Sequence, residues 1–167
     1  MSYPAPRYLG DGGEFSAVLR TAGQPPELPM TAASASYLAT GASTHGQFGL
    51  YRWDFTGPRS GPDPHFHRSI SESFFILSGT VRLFDGEQWA DGKPGDFLFV
   101  PEGGVHGFRN ESGEPASMLI LFAPGAPREG YFEGLAGLGE LSESEREAFM
   151  LRHDTFWLWA VSRRDPA

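Results

Sequence analysis

No cysteine occurs in the 167 residues, which excludes disulfides, thiolate metal ligands and cysteine nucleophiles together. Any metal site must therefore be built from histidine and carboxylate. Clustered positive charge is also lacking. The net charge is −8 with no block of lysine or arginine, so the basic footprint that neutralises nucleic-acid phosphates is missing. No apolar run approaches the roughly 20 residues that cross a bilayer. Residues 1–30 lack the charged-then-apolar pattern of a signal peptide. These absences predict a soluble, cytoplasmic chain with neither nucleic acid nor membrane as partner. "GDGG" and "EGG" lack the strand–glycine–helix setting of a phosphate loop, and "LSGT" lacks the surroundings of a nucleophile elbow. No nucleotide site and no serine triad are assigned.

What is present is turn chemistry. The chain carries 22 glycines and 14 prolines, spread along its length and interrupted by short apolar runs, the usage of many short strands joined by tight turns. Its length suits a single domain over 1–167, all-β in class. Residues 1–30 read as an N-terminal arm packing on that domain. Residues 34–123 read as a β-barrel core, with strands in "SYLAT", "QFGLYRWDF", "SFFIL", "TVRLF", "EQWA", "DFLFV", "HGFRN" and "ASMLILF". Asp85-Gly86 predicts a two-residue type I′ hairpin, making its flanking strands antiparallel neighbours. Val100-Pro101-Glu102-Gly103 predicts a type I turn. Residues 128–167 read as a helical tail, whose second helix opens on a capping box, Ser142 with Glu145. The apolar segment "TFWLWAV" is expected to pack on the sheet or on a second subunit.

The stretch "PHFHRSISESFFILSG", residues 64–79, holds the first candidate site. On a strand, residues two apart share a face, so His65 and His67 become neighbours within reach of one ion. Alone, His-x-His is a weak signal. Period two then places Glu72 on the same face as Phe74 and Ile76, where a carboxylate is costly unless paired or bound to a cation. His106 opens another strand, with Phe108 on its own face. His45 in "GASTHGQ" and His153 in "LRHDT" are read as a loop histidine and a helix C-terminal histidine.

At the spacing of these residues the chain resembles the cupin superfamily. The first motif of that family is matched by His65, His67, Glu72 and Gly79. The second is matched by Gly95, Pro101, Gly103, His106 and Asn110 in "GDFLFVPEGGVHGFRN". One position departs, Arg59 standing where the family has a glycine, with Gly57 and Gly61 beside it. The resemblance implies a double-stranded β-helix, or jelly-roll barrel, with one divalent transition metal ion on His65, His67, Glu72 and His106. Iron, nickel, manganese, copper, cobalt and zinc all suit imidazole and carboxylate ligands. Such a site keeps a net charge near +1 and one or two open positions, and acts as a Lewis acid towards a substrate that becomes an enolate.

More loosely, the chain is similar to single-domain bacterial cupins of the quercetin 2,3-dioxygenase-like group. That similarity implies a metal-dependent dioxygenase acting on a flavonol-like or other enolisable aromatic small molecule, with Glu72 as catalytic base. Tyr51, Trp53, Phe74 and Phe108 are the expected apolar walls, although ordinary core packing accounts for them equally well. Two other readings use the same fold: a non-oxidative isomerase or polyketide cyclase, and a small-molecule-binding protein without turnover. A homodimer is expected from the apolar chain ends and from the habit of the family.

Overall fold

The computed structural model describes residues 2–158, which form eleven strands and two α-helices. The strands are β1 (Leu28–Pro29), β2 (Ala33–Ala39), β3 (Gly49–Phe55), β4 (His65–Phe66), β5 (Ser71–Ser78) and β6 (Val81–Phe84). They continue with β7 (Trp89–Gly92), β8 (Phe97–Val100), β9 (Gly107–Arg109), β10 (Ala116–Ala123) and β11 (Phe156–Trp157). Helices α1 (Arg128–Gly134) and α2 (Glu143–Arg152), with a 3-10 segment between them, fill the stretch from β10 to β11. One sheet has the order β1-β2-β3-β10-β5-β8, a second the order β7-β6-β9, and β11 pairs with β4 in a third. Every pairing is antiparallel. The all-β class with two short C-terminal helices is the one the sequence predicts.

Alternation decides which side chains enter the core. On β5, Glu72, Phe74 and Ile76 are buried while Phe75 and Leu77 face out, as period two requires. Tyr51, Trp53 and Phe55 of β3 and Met118, Ile120 and Phe122 of β10 share that inner face. It meets the second sheet through Phe108, whose ring lies 5.4 Å from Phe74 and 6.3 Å from Trp53. Each such fully buried aromatic contributes about 1.5–3 kcal/mol through the water it no longer orders. Helix α1 closes one end of the layer. Phe132 packs on Tyr51 at 5.2 Å and on Trp53 at 5.3 Å, and the Tyr51 hydroxyl donates to Glu129.

The local predictions fare unevenly. The capping box of α2 is formed, Ser142 Oγ accepting from Glu145 N and Glu145 Oε2 accepting from Ser142 N. β6 and β7 are antiparallel neighbours as expected, but Asp85 does not adopt positive φ. Its carboxylate accepts from Glu87 N and Gln88 N, and Gly86 takes the left-handed position one residue later. The next turn is displaced in the same sense. Gly104 N donates to Pro101 O, with Gly103 at φ 81°, the third-position glycine of a type II turn rather than the expected type I turn.

The N-terminal arm differs too: residues 2–19 are exposed along their length, and chain lining the sheet begins at Arg20. Of "TFWLWAV", Phe156 and Trp157 pair with β4 of the same chain, whereas Trp159, Ala160 and Val161 lie outside the described residues. Among the described residues no helix is long and apolar enough to cross a membrane.

Candidate metal centre

Four residues from four places in the chain converge. His65 and His106 face each other across an isolated antiparallel bridge, each N–H donating to the other's carbonyl at 2.9 Å. Directly opposed residues send their side chains to the same face, and these two rings lie 4.4 Å apart. His67 follows β4, and its carbonyl accepts from Gly103 N at 2.7 Å, which ties the first motif to the turn of the second. Glu72 enters from β5, between Val100 of β8 and Phe122 of β10. All four side chains are buried, and one ligand atom from each lies within 4.8 Å of the others.

The hydrogen bonds around the cluster fix the imidazole tautomers. Nδ1 of His65 donates to Asp63 O at 2.9 Å, Nδ1 of His67 to Asp154 O at 2.6 Å and Nδ1 of His106 to Gly104 O at 3.0 Å. A carbonyl oxygen only accepts, so each Nδ1 carries a proton, and Nε2 is the atom free to bind an ion or a second proton. Nε2 of His67 and of His106 both point at Glu72 Oε2, at 3.1 and 2.7 Å. Lone pairs converging on a buried carboxylate need positive charge among them, supplied by a proton or by a cation. Three imidazole nitrogens and a carboxylate oxygen held in this way fit a divalent transition ion.

The electrostatics follow from the same contacts. Burial opposes ionisation of Glu72, but the charge and hydrogen bond of His106 and those of His67 outweigh it and hold the carboxyl well below its ordinary range. Burial likewise disfavours a charged His106, yet Glu72 overcomes it and raises that imidazole. His65 is lowered to about 3 by burial and by its two histidine neighbours, so it remains a neutral donor. Glu72 is thus ionised, the state needed both by a ligand and by a proton acceptor.

The expected wall residues are placed at different depths. Phe74 lies 5.9 Å from the His106 ring, with Phe108 packed behind it. Trp53 and Tyr51 sit further back, against Phe108 and α1 respectively. Phe122, absent from the expected set, is 6.3 Å from His67. His45 and His153 stay outside the cluster.

Two residues beyond both motifs reach the site unforeseen. Asp154 supports His67 by its carbonyl, while its carboxylate accepts from Arg68 N, Ser69 N and Ser69 Oγ. Trp157 lies 5.1 Å from the His65 ring, brought there by the pairing of β11 with β4. The one local signal for Asp154 is a short polar residue just past a helix end, where φ 52° is tolerated.

Comparison with known proteins agrees with this geometry. The Cupin domain family model matches residues 55–122. An uncharacterized protein of Aquifex aeolicus is 36% identical over 61 residues, which are 36% of this chain and 50% of that protein. A quercetin 2,3-dioxygenase of Bacillus subtilis is 34% identical over 61 residues, 36% of this chain and 18% of the relative. The chain therefore spans half or less of the curated relatives it matches. The crystal structure of a predicted oxalate decarboxylase from Thermotoga maritima superposes with a TM-score of 0.57 at 21% identity, covering 65% of this chain and 99% of that one, and it shows the fold. The Cupin domain match spans both motifs and all four buried side chains, and together they support a member of the cupin superfamily.

Proposed function

We propose that the protein is a metal-dependent oxidoreductase, a dioxygenase acting on a flavonol-like or other enolisable aromatic small molecule. The observation that carries this reading is the position of Glu72 Oε2, ionised and shared between His67 and His106 beside aromatic faces. The stretch similar to a quercetin 2,3-dioxygenase adds support. His65, His67 and His106 would hold the ion through Nε2, with Glu72 as the fourth ligand. When bound, a divalent transition ion supplies Lewis acidity and, for redox-active members of the series, electron exchange with dioxygen. Glu72 accepts the hydroxyl proton of the substrate, leaving the enolate that reacts. Phe74 and Phe122, buried beside His106 and His67, give the centre an apolar surround that excludes water.

Oxygen uptake by protein loaded in turn with iron, nickel, manganese, copper and cobalt, across a panel of enolisable phenolics, tests this. Uptake with at least one pair is expected. Its absence with every metal overturns the dioxygenase. Turnover without oxygen, equally good with zinc, identifies a non-oxidative isomerase or cyclase, and tight binding without product identifies a binding protein.

The reading includes a second copy of this chain as partner. Phe97 and Phe99 of β8 are 63% and 57% exposed, and Phe75 and Leu77 of β5 stand beside them on the outer face of the large sheet. Exposed aromatic side chains on one sheet face are the kind of surface that a second copy would cover across a two-fold axis.

A further inference from the structure

Arg128, the first residue of α1, is only 3% exposed. A guanidinium taken out of water needs an anion or a full set of acceptors. Arg128 has neither from the described residues. Nη1 donates to His153 O at 2.6 Å, but Nε is buried without a hydrogen-bond partner, and no carboxylate among the described residues forms an ion pair with it. Its other neighbours are rings: Tyr131 at 4.1 Å, Phe122 at 5.0 Å and Phe132 at 5.7 Å from Cζ. Ring faces attract a cation, yet they do not replace the hydrogen bonds lost with its water.

The unmet group adjoins the metal centre. Phe122 neighbours both, its ring centroid 5.0 Å from Arg128 Cζ and 6.3 Å from the His67 ring. The carbonyls of His153 and Asp154, consecutive in the chain, accept from Arg128 Nη1 and His67 Nδ1 respectively. The negative charge within reach of this guanidinium includes Glu72, which an ion in the cluster would share. Two centres of positive charge, ion and guanidinium, would then face one carboxylate. Nε belongs to the edge of the guanidinium that pairs side-on with both oxygens of a carboxylate, a match that ammonium and amide donors lack.

We propose that Arg128 is a substrate anchor and that the substrate is an enolisable aromatic acid, its carboxylate on Arg128 and its enol or phenol oxygen towards the ion. This rests on the reading of the cluster as a substrate-binding metal centre and narrows the aromatic class given above to acids.

The test is binding of 3-hydroxybenzoate and of its neutral isostere 3-hydroxybenzamide to the cobalt-loaded protein, read by calorimetry and by the visible cobalt spectrum. The meta arrangement prevents both oxygens from chelating one ion. The acid is expected to bind at least tenfold tighter than the amide. Arg128→Met should reduce the acid to the affinity of the amide, with cobalt content and spectrum unchanged. Arg128→Lys, which keeps the charge and stem and loses the fork, should fall between and stands in should the methionine variant not fold. Equal affinities for acid and amide, including no binding of either, overturn the anchor, as does a preference that survives both substitutions. Failure to take up cobalt overturns the metal centre instead, so the two failures are distinguishable.

Discussion

His67 donates its Nδ1 proton to the backbone carbonyl of Asp154, a residue 87 positions further along the chain, at 2.6 Å. A proposed ligand from the first motif is therefore oriented by a turn that belongs to neither motif. The same residue holds the chain after His67, because its carboxylate accepts from Arg68 and Ser69.

Asp154→Asn is expected to weaken metal binding by about tenfold, the usual effect of loosening a support behind a ligand. Titration with a chelator competitor measures it. The change also alters acid stability. Burial opposes ionisation of Asp154, but the Ser69 and Arg68 hydrogen bonds and the charge of His67 outweigh it and lower its pKa. A lowered carboxyl contributes stability above its unfolded value, about 3.9, and loses it as pH falls through the folded one. The melting temperatures of wild type and Asp154→Asn should therefore differ at pH 7 and converge below about pH 4. A gap that widens on acidification would contradict the assignment.

His67→Ala should lower the metal content of the purified protein, and full occupancy in that variant would show the ligand set to be wrong. Glu72→Gln separates the two roles of the carboxylate. Three imidazoles remain to hold the ion, while loss of the proton acceptor is expected to lower turnover by about 10²–10⁴-fold. Metal analysis beside oxygen uptake reads both effects on one sample.

Gly79 takes φ 70°, and a Cβ there would stand 2.5 Å from Pro115 O and 2.8 Å from Ala116 Cα. Backbone strain and a clash with backbone, which cannot swing aside, add together. Gly79→Ala should cost more than about 2 kcal/mol by urea denaturation. A loss below half that value would mean the turn relaxes freely.

The outer sheet face predicts self-association. Sedimentation should give the mass of two chains, and Phe97→Ser combined with Phe99→Ser should give one. A single-chain mass for the wild type would dispose of the dimer.

Where a sequence signal depends on local chemistry it carried through to the structure. The capping box of α2 and the face shared by Glu72, Phe74 and Ile76 were legible because hydrogen bonding and period two act over a few residues. The hairpin turn at Asp85 was misplaced by one residue, since its carboxylate could replace a backbone partner and so remove the need for positive φ there. The supports of the site were hidden for another reason. Asp154, Arg128 and Trp157 reach it through the path of the chain after β10, and no spacing along the sequence records that path.

The carbonyl of Asp154 has a bearing on when the site is completed during synthesis. All four proposed ligands leave the ribosome before residue 154 does, and the barrel strands that carry them can pair by then. His67 acquires its acceptor only as the turn after α2 docks. On the proposed reading, tight ion uptake would wait for the segment that carries Asp154, so a nascent chain stalled before it would hold the four side chains without a fixed geometry.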